Sequence, residues 1–488
     1  MAEKLIVIGG TAAGLSAASK AKRLKPDMEI QVFEKSGYIS YGACGLPYFV
    51  GGLIDEPDDL VALTADTMKN KRGIPTWIHH EVTSINREDK TVTVKNLDTE
   101  ETAVYPYDKL VIATGAFPAV PPISGIDAEG IYYLRTVEDG IRLKAKVQKD
   151  AKKACIIGGG FIGLELAEEM TLSGLEVIVL EQFPRLLPFL NQSFSQSVLE
   201  NLARHGVEVH LGANVAEILT EHGRAHWVRT SDGETMVTDM VLVSAGVKPA
   251  SGLAGAAGLE LGMKGAIVVD DEMRTSDPDI WACGDCVQMK NLITGKPTYV
   301  PLGTTANKQG RIAGANVAGE HDTFKGVLGS MVTKVFDQYI AATGLSLEQA
   351  EKEGFDAAST MITKMDKASY YPGGAENQIC LIFDKKTGRL LGAQGLGSES
   401  VAGRINTLAT AITAKMTVEE VNELDLVYAP PVAPVYDPIL IAASQALKKV
   451  DKQGKEPEAQ PVKEPEVQPV KEPVVQPVKM PAAGQVES

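Results

Sequence analysis

Cys44 lies in the stretch Ser40-Tyr41-Gly42-Ala43-Cys44-Gly45-Leu46-Pro47-Tyr48-Phe49, and no second cysteine is near it in sequence. The position five residues on is Phe49, so an internal dithiol relay has no second sulfur. A lone reactive thiol retains two redox chemistries. It cycles between thiolate and a mixed disulfide with a small thiol, or between thiolate and sulfenic acid. Both require a thiolate near neutral pH. Pro47 suits the first turn of a helix, with Cys44 expected at its N-terminus. The helix field there lowers a thiol pKa. The remaining cysteines are Cys155, Cys283, Cys286 and Cys380, too few and too scattered for a disulfide framework. Cys283-x-x-Cys286 has no second cysteine pair after it, so it reads as packing and no metal is expected.

The elements that would hold such a thiol are legible on either side. Lys4-Leu-Ile-Val-Ile-Gly9-Gly10-Thr11-Ala12-Ala13-Gly14 reads as strand, glycine turn and helix start. Ala154-Cys155-Ile-Ile-Gly158-Gly159-Gly160-Phe161-Ile162-Gly163 repeats the pattern. Each is followed by an apolar strand ending in an acid, Glu34 in the first case and Glu181 in the second. Glycines let the backbone approach a pyrophosphate, the helix N-terminus supplies free N–H groups, and the acid accepts from a ribose diol. Thr11 stands where the second motif has its middle glycine, Gly160. A carboxylate at Glu181 favours a ribose 2′-hydroxyl over a 2′-phosphate. NADH is therefore expected ahead of NADPH, with NADPH possible.

Lys109-Leu-Val-Ile-Ala-Thr114-Gly115-Ala116 is a further apolar strand ending in small residues. Thr275-Ser-Asp-Pro-Asp-Ile-Trp-Ala-Cys283-Gly284-Asp285-Cys286 resembles the second flavin-binding motif of the pyridine nucleotide-disulfide reductases. With the two glycine motifs and Ser-Tyr-Gly-Ala-Cys44-Gly-Leu-Pro-Tyr-Phe-Val-Gly-Gly, residues 1–447 resemble the single-cysteine branch of that family. That branch includes coenzyme A-disulfide reductases, NAD(P)H-dependent persulfide or polysulfide reductases, NADH oxidases and NADH peroxidases. The resemblance implies an α/β fold with two Rossmann-like domains, one for FAD and one for NAD, plus an α+β C-terminal dimerisation domain. Expected boundaries are 1–150 with 250–325 for FAD, 151–249 for NAD(P)H and 326–447 for dimerisation.

The resemblance also implies roles. Gly9, Thr11, Ala12, Gly14, Glu34, Lys35, Ser40, Thr114, Gly115, Arg135, Asp285 and Ala306 are expected at FAD. Gly158, Gly160, Phe161, Ile162, Gly163, Glu181 and Gly246 are expected at NAD, with Phe161 covering the flavin until nicotinamide displaces it. Peroxidases and water-forming oxidases of the branch resemble one another in a histidine within the first loop; Ala12 occupies that place here. No histidine follows His321, so the C-terminal proton shuttle of the dithiol enzymes is missing. Tyr370-Tyr371-Pro-Gly and Asp425-Leu-Val-Tyr428-Ala-Pro-Pro resemble tyrosine-bearing stretches of coenzyme A-disulfide reductases, where a partner subunit's tyrosines approach the cysteine. Tyr428 is the preferred proton donor, and the choice between Tyr370 and Tyr371 stays open. Coenzyme A phosphates call for cations, expected from Lys20, Lys22, Arg23 and Lys71, with Ser40 and Asn307 beside them.

The alternative function is an NADH oxidase with Cys44 cycling through sulfenic acid. A net charge of −15 argues against nucleic acid or an anionic membrane as partner. The first apolar run, Leu5-Ile6-Val7-Ile8, is too short for a signal sequence or a membrane span, which points to the cytoplasm. The repeats KEPEAQPV, KEPEVQPV and KEPVVQPV fill residues 455–478, so the 448–488 tail is expected to be extended and disordered.

Overall fold

The apolar runs that flank each glycine turn are buried on both faces, as strands in the middle of a parallel sheet must be. In this computed structural model, which describes residues 2–451, β1 (Lys4–Ile8) pairs in parallel with β2 (Glu29–Phe33) and with β4 (Lys109–Ile112). β3 (Thr76–Trp77) and β10 (Ile280–Ala282) complete a five-stranded sheet of order β10-β4-β1-β2-β3. A second five-stranded parallel sheet has the order β8-β7-β6-β9-β5. Its strands are β5 (Ile131–Tyr132), β6 (Lys153–Ile157), β7 (Glu176–Glu181), β8 (Glu208–Leu211) and β9 (Met240–Val243). In both sheets the glycine turn follows a strand flanked by partners on either side, the switch point where α/β sheets bind ligands.

A third, antiparallel sheet is built from β11 (Met331–Val335), β12 (Gln338–Gly344), β13 (Ala357–Met365), β14 (Glu376–Asp384) and β15 (Leu390–Gly397), ordered β11-β12-β15-β14-β13. The helices that position the site are α1 (Ala12–Leu24), α2 (Leu46–Gly51), α3 (Ala65–Arg72), α4 (Val137–Lys149) and α5 (Phe161–Leu172). They continue with α6 (Gln192–Arg204), α7 (Gly303–Val317), α8 (Ser400–Thr413) and α9 (Pro438–Leu447). This is the expected α/β architecture with an added α+β part.

α1 and α7 pack unusually closely. A Cβ at Gly310 would come within 2.2 Å of the Ala13 carbonyl oxygen, and one at Gly314 within 2.2 Å of that of Ala17. Small residues on both helices are therefore a steric requirement. No helix among the described residues is long and apolar enough to cross a membrane. The proline repeats lie outside the described residues.

Candidate active site

The first glycine loop is tied to its own acid. Glu34 Oε2 accepts from Gly10 N at 2.7 Å, and Oε1 accepts from Ser36 N and Ser36 Oγ, both at 2.9 Å. Gly9 has φ +108°, and a Cβ there would strike the Ala113 carbonyl oxygen at 2.2 Å. A Cβ at Gly14 would lie 1.9 Å from the Gly9 oxygen. The second loop repeats this geometry. Glu181 Oε2 accepts from Gly159 N at 2.7 Å and Oε1 from Phe183 N at 2.8 Å. Gly158 has φ +112°, and a Cβ on Gly163 would meet the Gly158 oxygen at 2.1 Å. The middle glycine differs: a Cβ on Gly160 would meet nothing within 4 Å. Open space there suits an approaching pyrophosphate. The carboxylates thus shape the loops, a structural role that the motif itself does not announce.

Thr114, Gly115, Arg135 and Asp285 meet at the carboxyl edge of the first sheet. Arg135 Nη2 donates to Asp285 Oδ2 at 2.7 Å, and its Nε donates to the Ala116 oxygen at 3.2 Å. Thr114 Oγ1 donates to the Ala250 oxygen at 2.6 Å. Among the described residues, Asp285 Oδ1 is buried without a hydrogen-bond partner. An orphaned buried acceptor at this position fits a ligand hydroxyl, which is what FAD would present to a residue of this motif. Ala306, in the first turn of α7, lies beside Gly284, and Ser40 N donates to the Gly10 oxygen at 3.0 Å. Lys35 holds its Nζ 4.5 Å above the exposed Phe117 ring. In the second domain Phe161 packs against Phe189 at 5.6 Å, Ile162 is exposed, and Gly246 takes φ +96° with open space around it.

Cys44 occupies a 3-10 turn, Ala43–Gly45, immediately before α2, with Pro47 in the first helical turn. The expected lowering of its pKa is corrected by its surroundings. The residue is exposed, yet the groups packed around its sulfur desolvate it, and burial pushes the thiol up. Glu165 and Asp285 push further in the same direction, and Arg135 pulls it down. α2 has only six residues, too short for its field to outweigh these effects. Phe49, where a second cysteine would stand, is buried under Gly140, with Lys144 Nζ 4.2 Å above its ring. Cys283 and Cys286 are fully buried, as packing residues should be.

The acids on α5 went unrecognised in sequence because a helical Glu usually faces solvent. Glu165 accepts from Thr333 Oγ1 at 2.8 Å, and burial raises its pKa. Glu168 is buried, paired with Lys334 and bonded by Phe336 N at 2.7 Å. Tyr48, in α2, is pushed up to about 12 by burial and by Glu165, Glu168 and Glu169.

Tyr370 and Tyr428 are brought together, their hydroxyls 3.1 Å apart, whereas Tyr371 has no such bond to Tyr428. All three are exposed, beside exposed Val427, Val432, Val435 and Tyr436. Of the expected coenzyme A cations, Lys22 is already engaged by the backbone. Its Nζ donates to the Pro26 and Met28 oxygens at 2.6 and 2.9 Å, closing the turn after α1. Arg23 and Lys71 are exposed and Lys20 half-buried. Arg72, next to Lys71, donates to Ser19 Oγ at 3.0 Å and brings α3 to α1. Asn307 accepts from Ser16 Oγ at 2.8 Å.

Comparison with known proteins agrees with this geometry. Residues 3–321 match the family described as pyridine nucleotide-disulphide oxidoreductase, and residues 331–437 match its dimerisation domain. An NADH oxidase of Methanocaldococcus jannaschii is 38% identical, over 92% of this chain and 100% of its own length. An NAD(P)H coenzyme A polysulfide/persulfide reductase of Pyrococcus horikoshii is 37% identical, over 91% of this chain and 98% of its own. Among solved structures, an NAD-dependent persulfide reductase from A. fulgidus superposes with a TM-score of 0.89 at 41% identity, covering 91% of this chain and 83% of that one. The chain belongs to the pyridine nucleotide-disulphide oxidoreductases.

Proposed function

We propose that this protein is an FAD-dependent NAD(P)H oxidoreductase that reduces coenzyme A disulfide, coenzyme A persulfide or polysulfide through Cys44. The observation that carries this reading is a lone free cysteine in the turn just before α2. Cys44 feels Arg135 and Asp285 of the FAD-motif cluster, and no second cysteine accompanies it. Residues 1–150 with 250–325 would hold FAD, 151–249 the nicotinamide nucleotide, and 326–447 the dimer contact. When bound, FAD and NADH supply an electron pair and hydride chemistry. The chain's own residues do the rest. The Cys44 thiolate attacks one sulfur of the substrate, forming a Cys44–S–S–R mixed disulfide and expelling the other sulfur as a thiolate. Tyr428 of the partner subunit, paired with that subunit's Tyr370, gives the departing sulfur a proton. Two electrons and one proton then return Cys44 to a thiolate and free the second product as R–SH. Lys20, Arg23 and Lys71 would meet the phosphates of coenzyme A, with Ser40 and Asn307 at its chain.

Glu181 bonded into its loop leaves a carboxylate where a 2′-phosphate would sit. Arg185 is engaged by Glu348 at 2.8 Å and by the Pro188 oxygen at 2.6 Å. NADH is therefore preferred to NADPH. The decisive experiment is Cys44→Ser. It should retain flavin and lose disulfide and persulfide reduction; undiminished reduction would refute the reading. An oxidase using oxygen is the second reading, favoured by the Methanocaldococcus relative and opposed by Ala12 in the first loop. Mass spectrometry of unreduced protein separates them, showing a coenzyme A adduct on Cys44 for the first and a sulfenic acid for the second.

A further inference from the structure

Tyr370 and Tyr428 are 73% and 46% exposed, so little at their own positions fixes the 3.1 Å approach of their hydroxyls. The order must come from the roots of the segments that carry them. Tyr370 and Tyr371 ride on the connection between β13 and β14. Its base is closed by Asp366, whose N donates to the Ala375 oxygen at 2.8 Å and whose Oδ1 accepts from Ala375 N at 2.9 Å. Tyr428 rides on the segment leading into α9. That segment ends at Asp437, whose Oδ1 accepts from Ile439 N at 2.9 Å and caps the helix. Between the tips, Ala368 N donates to the Pro430 oxygen at 3.3 Å.

One side chain joins both roots. Arg404, on α8, is 6% exposed. Its Nε donates to the two Asp437 oxygens at 3.2 and 3.1 Å, and Nη2 donates to Asp437 Oδ2 at 2.9 Å. The same Nη2 donates to the Asp366 carbonyl oxygen at 2.8 Å, and Nη1 to Ser400 Oγ at 2.6 Å. Ser400 continues to Ser398, which donates to Asp366 Oδ2 at 2.8 Å. A guanidinium is planar, with donors at fixed angles, so these partners are held at fixed relative positions. A buried ion pair is a poor source of stability compared with apolar packing, and its distinctive capacity is geometric.

We propose that Arg404 is a positioning residue for the tyrosine pair: by bonding the roots of both segments at once, it sets the spacing of Tyr370 and Tyr428. The proposal rests on the reading above, in which these tyrosines serve the reduction at Cys44. Arg404→Lys keeps the charge and cannot reach Asp366, Asp437 and Ser400 together.

The test is a double-mutant cycle in the purified flavoprotein dimer, with NADH and coenzyme A disulfide. Arg404→Lys should lower kcat about 100-fold, the scale of an ångström-sized misplacement, and leave the KM for NADH unchanged. In a Tyr428→Phe background, Arg404→Lys should change kcat by less than about twofold, because coupled residues are not additive. The kcat pH profile should also lose, in Arg404→Lys as in Tyr428→Phe, the same high-pH limb. Losses that multiply, or full kcat in Arg404→Lys beside a loss in Tyr428→Phe, would overturn the positioning role alone. Full kcat in Tyr428→Phe and Tyr370→Phe would remove the tyrosine reading, and this proposal with it. If Arg404→Lys fails to bind flavin or to dimerise, Asp437→Asn runs the same cycle, since its amide oxygen still caps α9.

Discussion

Cys44 is a thiol whose burial and acidic neighbours disfavour the thiolate. Burial, Glu165 and Asp285 raise its pKa above the ordinary thiol range, and only Arg135 opposes them. A raised pKa means less thiolate at a given pH. Alkylation of the NADH-free enzyme by iodoacetamide should therefore be slow at pH 8 and still be rising above pH 9 (an ordinary thiol has a pKa of about 8.5). Glu165→Gln removes a negative neighbour, so its alkylation curve should move to lower pH. A curve that stays in place would show that Glu165 does not act on the sulfur. The chemistry of this residue was half legible in sequence. Its isolation was plain, because Phe49 and the other cysteines can be counted. Its electrostatics were hidden, because Glu165 and Asp285 come from distant parts of the chain.

At the scale of elements, the glycine loops were the most legible parts, since Gly9, Gly14, Gly158 and Gly163 each answer a local steric demand while Gly160 leaves open space. Gly160 and Gly163 make the two cases testable. A Cβ on Gly160 meets open space, so Gly160→Ala should fold with an unchanged melting temperature while the KM for NADH rises about tenfold or more, equivalent to about 1.4 kcal/mol of lost binding. Gly163→Ala puts a Cβ 2.1 Å from the Gly158 oxygen and should lower soluble yield and melting temperature. The hairpin of β11 and β12 was not legible in this way. It reaches α5 through Thr333, Lys334 and Phe336, and reaches α6 through Asn201, whose Nδ2 donates to the Val335 oxygen at 2.8 Å. Such contacts follow from tertiary packing, which no periodicity encodes. Lys334→Met leaves Glu168 buried without its cation. The destabilisation should be about 3 kcal/mol, at the low end for a broken buried pair because Lys334 is partly exposed. Denaturant unfolding measures it.

For the whole molecule, the two parallel nucleotide-binding sheets followed from the order of motifs and the α+β C-terminal part from the family resemblance, while the pairing of Tyr370 with Tyr428 did not, because both sit in irregular segments. If the tyrosines act across the dimer, mixing Cys44→Ser and Tyr428→Phe subunits should restore activity. Each mixed dimer then holds one complete site, up to about half the wild-type rate. A site within one subunit would leave the mixture inactive. Removal of residues 452–488 should leave kcat unchanged, because none of the candidate site residues lies in that stretch.

The close seating of α1 on α7 has a consequence for how the chain is made. α1 is among the first segments to leave the ribosome, and the Gly310 and Gly314 surface that covers it is translated only after the second parallel sheet is complete. Until then Ala13, Ala17 and their neighbours lack the α7 surface that covers them, and β4 lacks its edge partner β10. The second sheet, contiguous apart from its edge strand, can fold during synthesis. The N-terminal nucleotide fold must wait for its own distant half. Nascent chains stalled before Gly303 should accordingly be protease-sensitive in α1 and resistant around β6–β9.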